Sequence, residues 1–190
     1  MSTEPRTDKR EAIMNAATLV VQTDGYNALS FRDLAAETGI KSASVHYHFP
    51  TKGDLAQALI ERFRAGFLAR MEPVLEKGFD EAMGTYIALF RGAFDGGHRM
   101  CMGGMMSAEF TALPVGARDG LEEFANAHRN FIVTVLLKKH PNVPIDKLNA
   151  RAAAIFAALE GAQLIAKGLG GKAKVFDEIV DSYRASGLLD

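Results

Sequence analysis

From Ile13 to Tyr183 the apolar residues of this chain recur at intervals of three and four, and nowhere do they alternate with polar residues between hairpin turns. Spacings of three and four gather side chains on one face of a helix, whereas a half-buried strand needs a spacing of two. The pattern predicts an all-α protein. At 190 residues such a chain can bury a core without disulfides or a structural metal, and it has room for two compact helical units. Its single cysteine, Cys101, excludes an internal disulfide and a cysteine-based zinc site. The stretch Met1-Ser2-Thr3-Glu4-Pro5-Arg6 lacks the apolar run of a signal peptide, and the most apolar segment, 152–166, is broken by Glu160 and Gln163. No membrane contact is expected, and the expected compartment is the cytoplasm.

Helix boundaries follow from local chemistry. Ile13, Ala16, Ala17, Val20 and Val21 mark a first helix that stops at Asp24-Gly25, where glycine takes a left-handed cap conformation. Ser30, with Asp33 three residues on, has the capping-box pattern and opens a second helix with Phe31, Leu34 and Ala35 inward; Gly39 ends it. A short third helix runs from about Ser42 to Phe49 on the anchors Val45 and Phe49, and Pro50 stops it. Thr51 and Asp54 then cap a long fourth helix carrying Leu55, Leu59, Phe63, Phe67, Met71 and Val74 on one stripe. Further helices are expected around Met83 to Phe94, within the methionine-rich stretch 100–113, and over 114–139, 144–169 and 172–185. Asp95-Gly96-Gly97, Pro141 and Pro144 supply breaks. The expected division is one helical domain over 1–52, with a linking helix from about 51, and a second over 53–190.

Two short helices across a glycine turn occur in many bundles, so the pair alone identifies nothing. What sets this one apart is its second helix, where Lys41, Ser42, Ser44, His46, Tyr47 and His48 surround only two core anchors. Such a surface suits a helix laid in the major groove, with Ser42 and Ser44 reaching base edges or phosphates and Ala43 meeting a thymine methyl. Tyr47 and His48 suit the backbone. Lys52 opens the next helix, whose free amides and positive dipole end favour a phosphate oxygen. Net charge speaks against DNA: it is −1 overall, and residues 1–55 hold six Lys/Arg and seven Asp/Glu. Placement answers the objection, because Lys41 and Lys52 bracket the third helix with no carboxylate between them. His46 and His48, two residues apart, diverge by about 200° on a helix and do not form a metal pair. No metal, cofactor or catalytic group is expected.

With Phe31-Arg32-Asp33-Leu34-Ala35, Gly39 and Ser44-Val45-His46-Tyr47-His48-Phe49-Pro50-Thr51-Lys52, residues 8–60 closely resemble the TetR (AcrR-like) family of regulators. The resemblance implies an all-helical homodimer whose first three helices bind palindromic double-stranded operator DNA and whose C-terminal helices hold a ligand pocket. It implies DNA contacts from Arg32, Lys41, Ser42, Ala43, Ser44, His46, Tyr47, His48 and Lys52. Two departures stand out. His46 occupies a position where the family commonly has tyrosine, and Gly53 one where a charged helix former is frequent, which would weaken the start of the fourth helix.

Beyond residue 60 the chemistry is sparser. Met100, Met102, Met105 and Met106 surround Cys101 beside Gly103 and Gly104, a soft stretch that suits either a core or the wall of a ligand pocket. Arg99 and His98 would favour a thiolate at Cys101 and so a sensing role; a small buried thiol is the other reading. His128 falls on the apolar stripe of its helix, and with Tyr86, Glu109 and Gln163 it could orient a ligand among Phe90, Phe124, Cys101 and Met105. Residues 152–166 are apolar almost all round and must be covered on several sides. With Val175, Phe176, Ile179, Val180 and Tyr183 they form the candidate dimer interface. The expected mechanism is repression relieved by a small, mostly apolar inducer or by modification of Cys101. Two rivals compete. An enzyme is disfavoured because no Walker loop, Gly-x-Ser-x-Gly elbow or His-Glu-x-x-His motif is present. A protein-interaction module with a vestigial helix-turn-helix stays open on charge.

Overall fold

The computed structural model describes residues 6–95, 97 and 99–190. Among these residues it contains nine α-helices and no strand: α1 Arg6–Asp24, α2 Phe31–Thr38, α3 Ser42–His48, α4 Lys52–Met71, α5 Phe79–Asp95, α6 Met102–Ala108, α7 Val115–Lys139, α8 Ile145–Gly168 and α9 Ala173–Ala185. Short 3-10 turns lie at Pro73–Glu76 and Phe110–Ala112. The caps read from the sequence form. Ser30 Oγ accepts from Asp33 N at 3.3 Å. Thr51 N donates to Asp54 Oδ2 at 2.8 Å while Asp54 N donates back to Thr51 Oγ1 at 3.1 Å, a closed reciprocal cap at the start of α4. At the end of α2, Gly39 has φ 68°, and Ile40 N donates to Ala35 O at 3.1 Å, which seals the turn before α3.

The helices form two compact units, and α4 and α7 each contribute residues to both. The first unit comprises residues up to Phe63 together with Met102–Glu122; the second comprises Arg64–Cys101 and Glu123–Asp190. The segment 102–122 thus belongs with the first three helices. In the first unit α1 packs against α2, α3 and α6 around Ile13, Met14, Ala17, Val21, Leu34, Val45 and Phe49. A seam of three glycines brings the starts of α4 and α7 close together. A Cβ on Gly53 would fall 2.6 Å from Pro114 Cγ, one on Gly116 2.7 Å from Gln57 Oε1, and one on Gly120 3.2 Å from Ile60 Cγ2. Gly53, which by propensity only weakens α4, is the residue that admits the Pro114 ring. In the second unit α5, α8 and α9 pack on one another around Tyr86, Phe90, Ile132, Leu136, Ile155, Leu159 and Phe176.

Gly53→Ala separates these two influences. Helix propensity alone would raise stability by up to about 1 kcal/mol, whereas forcing a methyl into a rigid proline ring costs roughly 1–3 kcal/mol. The variant is expected to melt a few degrees below the parent, by about 2–4 °C per kcal/mol for a chain of this size. A higher melting temperature would show that Pro114 yields without cost.

Candidate functional site

In the first unit, α3 rests on Val45 and Phe49, both buried, and the Arg10 guanidinium lies 5.1 Å over the Phe49 ring. The rest of α3 faces out. Lys41, Ser42, Ala43, His46 and Tyr47 are exposed, Ser44 and His48 half-buried, and no acidic residue stands among them. His46 meets the edge of Phe31 at 4.9 Å, and Tyr47 meets His48 at 5.4 Å. Arg32 projects from α2 with 91% of its side chain exposed, paired with its neighbour Asp33 at 3.3 Å. These side chains together form a polar ridge that can offer hydroxyl, imidazole, phenol and cationic groups to a groove.

Lys52 is placed differently from its expected role. Its Nζ donates to Asn27 O at 3.0 Å and sits 4.4 Å over the Tyr26 ring, so it braces the turn between α1 and α2. Burial lowers its pKa, and the nearby Glu109 carboxylate partly offsets this. Glu109 itself grips the same turn: Asn27 N donates to Oε2 and Asn27 Nδ2 to Oε1, both at 3.0 Å. The carboxylate comes so close to Gly25, at φ 93°, that a Cβ there would lie 2.9 Å from Oε2. Glu109, assigned from sequence to a ligand pocket, is thus engaged within the first unit. Met105 belongs to that unit too.

The second unit brings together Tyr86, Phe90, Cys101, Phe124, His128 and Gln163. Tyr86 Oη and His128 Nδ1 are 2.9 Å apart. The imidazole is stacked on Phe67 at 3.8 Å, with Phe124 at 4.5 Å and Phe156 at 4.9 Å. Burial drives its pKa down to about 3, so His128 is neutral, and its Nε2 is enclosed with no hydrogen-bond partner. Burial likewise pushes the Tyr86 phenol well above its ordinary value, with Cys101 and Glu160 adding to the effect. Gln163 holds backbone: its Oε1 accepts from Cys101 N at 2.7 Å and its Nε2 donates to Phe90 O at 3.0 Å.

Sequence reasoning missed Glu160, read only as an interruption of an apolar run. The Cys101 thiol donates to its carboxyl, while Oε1 is enclosed and has no partner. Burial pushes this carboxyl up to about 7, and the thiol's hydrogen bond pulls it partly back. The one signal available was a lone acid in a helix that must be covered on all sides. Of the two groups expected to activate Cys101, His98 lies outside the described residues, and Arg99 N donates to Ala93 O. Among the described residues no cluster of three or more His, Cys, Asp or Glu is placed to hold a metal, and no helix is long and apolar enough to cross a membrane.

Residues 13–59 match the family model described as "Bacterial regulatory proteins, tetR family". The nucleoid occlusion factor SlmA of Shewanella denitrificans is 28% identical over 89 residues, which take in 47% of this chain and 45% of that protein. The chain therefore matches less than half the length of the curated relatives. Solved structures extend further. A TetR transcriptional regulator from Legionella pneumophila superposes with a TM-score of 0.84 at 26% identity, covering 98% of this chain and 99% of the other. A TetR-family regulator from Agrobacterium tumefaciens gives 0.85 at 25% identity over 92% and 95%.

The buried acid makes a prediction about pH. A Glu160 carboxyl raised to about 7 keeps its proton in the folded chain while the unfolded chain releases it above about 4.5, so its contribution to stability falls as pH rises through that window. His128, lowered to about 3, acts with the opposite sign between about 3 and 6.5, and a Glu160→Gln variant shares that effect. The stability advantage of Glu160→Gln over the parent should therefore grow by roughly 2 kcal/mol between pH 5 and pH 8, measured by urea unfolding. A difference that does not change with pH would remove Glu160 from the buried titrating groups.

Proposed function

From the premise that the chain belongs to the TetR family of transcriptional regulators, we propose that it is a ligand-responsive repressor that binds palindromic operator DNA as a homodimer. The observation that carries this reading is the ridge on α3. Seven helical residues on two apolar anchors offer polar and cationic groups outward, on a turn sealed by Gly39 and Ile40. Arg32 and Lys41 supply phosphate contacts, and the hydroxyls of Ser42 and Ser44 read base edges. Lys52 joins them only by giving up Asn27 O.

A homodimer accounts for the surface of α8. Leu164, Ile165 and Leu169 are exposed by 58%, 54% and 63%, beside the small residues Ala157 and Gly161. Such a run of apolar side chains along the end of α8 and the residue just past it suits a partner copy. α9 contributes less to it than its sequence suggests, because Phe176 and Val180 are buried and Val175, Ile179 and Tyr183 pack on the core of their own unit. Pairing places two α3 ridges on half-sites about one helical turn, roughly 34 Å, apart or slightly more.

Ligand response draws on one stretch of backbone. Residues 101–109 begin where Gln163 holds Cys101 N and end where Glu109 holds Asn27. A ligand that re-forms the surroundings of Tyr86, His128 and Glu160 shifts the start of that stretch, and thereby the balance between operator-competent and released states. A bound ligand is favoured over modification of Cys101 as the trigger, because the thiol is engaged as a donor to Glu160.

Ile165→Asp tests the dimer and the operator together. Placing a charge in the α8 patch should give a folded monomer by sedimentation. Its operator affinity should fall at least about tenfold, while the parent protects two half-sites in a footprint. A variant that stays dimeric and binds like the parent would move the interface away from α8, and a single protected half-site would contradict the palindromic reading.

A further inference from the structure

Three enclosed side-chain polar atoms of the second unit lack a hydrogen-bond partner: Arg129 Nε, whose guanidinium reaches Asn126 on its own helix, and two others that carry the inference. His128 Nε2 belongs to a side chain only 5% exposed, and Glu160 Oε1 is enclosed on α8 one turn beyond Phe156; neither has a hydrogen-bond partner. An unpartnered buried polar group typically costs about 1–3 kcal/mol, so two of them in one aromatic setting call for a ligand that completes them.

We propose that the ligand of the second unit is a lipophilic organic cation, its charge set against the Glu160 carboxyl and its body among the rings around His128. The proposal rests on the ligand-responsive reading above and names the ligand's class. Charge carries the argument. Glu160 has no ion-pair partner among the described residues. The ion pairs found in the second unit lie elsewhere: Arg64 with Glu123, Lys77 with Glu81, Arg91 with Asp177, Lys139 with Asp190, Lys174 with Glu178 and Arg184 with Asp181. A cation is what this acid lacks.

The other groups around the acid favour the same class. Among the described residues, Tyr86 on α5 and Cys101 ahead of α6 are the titratable groups that act on it, and His128 on α7 is joined to them through Tyr86. His128 is neutral, and the Cys101 thiol already donates to Glu160. Among the described residues these groups supply no positive charge to receive an anion, and an anionic ligand would add a second negative charge to the site. Phe67 and Phe156 stack on the imidazole and Phe124 lies tilted beside it, and aromatic surroundings of this kind attract a cation once water is excluded. A protonated amine also carries N–H donors for Oε1 and for an accepting His128 Nε2. When it binds, Glu160 gives up its proton to solvent, because the ion pair favours the carboxylate.

Three probes of one shape test this on the full chain: 1-naphthylmethylammonium, the neutral alcohol 1-naphthalenemethanol and the anion 1-naphthoate, titrated by calorimetry at pH 8 and pH 5.5. At pH 8 the ammonium probe should bind at least about tenfold more tightly than the alcohol, with naphthoate weakest, and at pH 5.5 its binding should release a proton that the alcohol's does not. The preference should shrink severalfold at pH 5.5, where Glu160 holds its proton while His128 and Tyr86 keep their charge state. Glu160→Gln should erase the preference yet bind the alcohol within about threefold of the parent, which also shows that the variant is folded. Alcohol binding without an ammonium preference, or a preference that survives Glu160→Gln, overturns the cation class and leaves the ligand site standing. If no probe binds at millimolar concentration, the proposal and the ligand-responsive reading fall together.

Discussion

Two hydrogen bonds from Asn27 to the carboxylate of Glu109 join the turn between α1 and α2 to the segment after α6, within the unit that carries the α3 ridge. The turn between α1 and α2 has no regular structure to satisfy its backbone, and a carboxylate accepting a main-chain and a side-chain N–H holds it more strongly than a neutral acceptor would. Gly25 makes the approach possible, since any side chain there would collide with the carboxylate as well as strain a backbone at φ 93°. Lys52 closes the arrangement by donating to Asn27 O across the Tyr26 ring. The start of α7 is fastened to the same unit through Gly53, Gly116 and Gly120. The three helices that carry the ridge are therefore built together with residues 102–122.

That construction gives the electrostatics of the chain a simple form. The net charge of −1 is no obstacle to DNA binding when carboxylates are drawn into such contacts and away from the ridge. Asp54 turns inward to Thr51, Glu109 to Asn27, and Glu11 to Arg62 at 3.2 Å, so these three acids cap and brace the first unit. The second unit shows the opposite condition. Its buried acid has a thiol donor, no cation among the described residues and one oxygen without a partner. A unit that leaves a carboxyl in that state sacrifices stability, which is the usual mark of a place kept for something else.

Local features of the fold were legible in the sequence. Ser30, Gly39, Pro50, Thr51 and Asp54 mark helix ends by chemistry confined to four or five residues, and each acts where expected. The α3 ridge was legible too, because a short helix with only Val45 and Phe49 to bury must present its other side chains. What escaped depends on distance along the chain. Glu109 and Asn27 are 82 residues apart, and no periodicity links them. Lys52 looked like a phosphate contact because its partner is a main-chain oxygen on another turn. Gly53 looked like a weak helix start because Pro114 cannot be placed beside it from composition. Glu160 was read for its effect on hydropathy, which says nothing of an oxygen left without a partner.

On the proposed reading, the Glu109 clasp sets the α3 ridge for DNA. The direct measurement is operator affinity across a salt titration for the parent chain and for Glu109→Gln, using DNA from upstream of the chain's own gene. The parent should show log K falling linearly with log salt at a slope of roughly −3 to −5, as a dimer neutralising a few phosphates per subunit would. Glu109→Gln should bind severalfold more weakly at the same slope, because it loses an acceptor that positions the turn and no group that touches phosphate. Removing a negative charge would by itself strengthen DNA binding, so the sign of the change is decisive. Salt-insensitive or absent binding by the parent, or a Glu109→Gln variant that binds as well as the parent or better, would contradict the account.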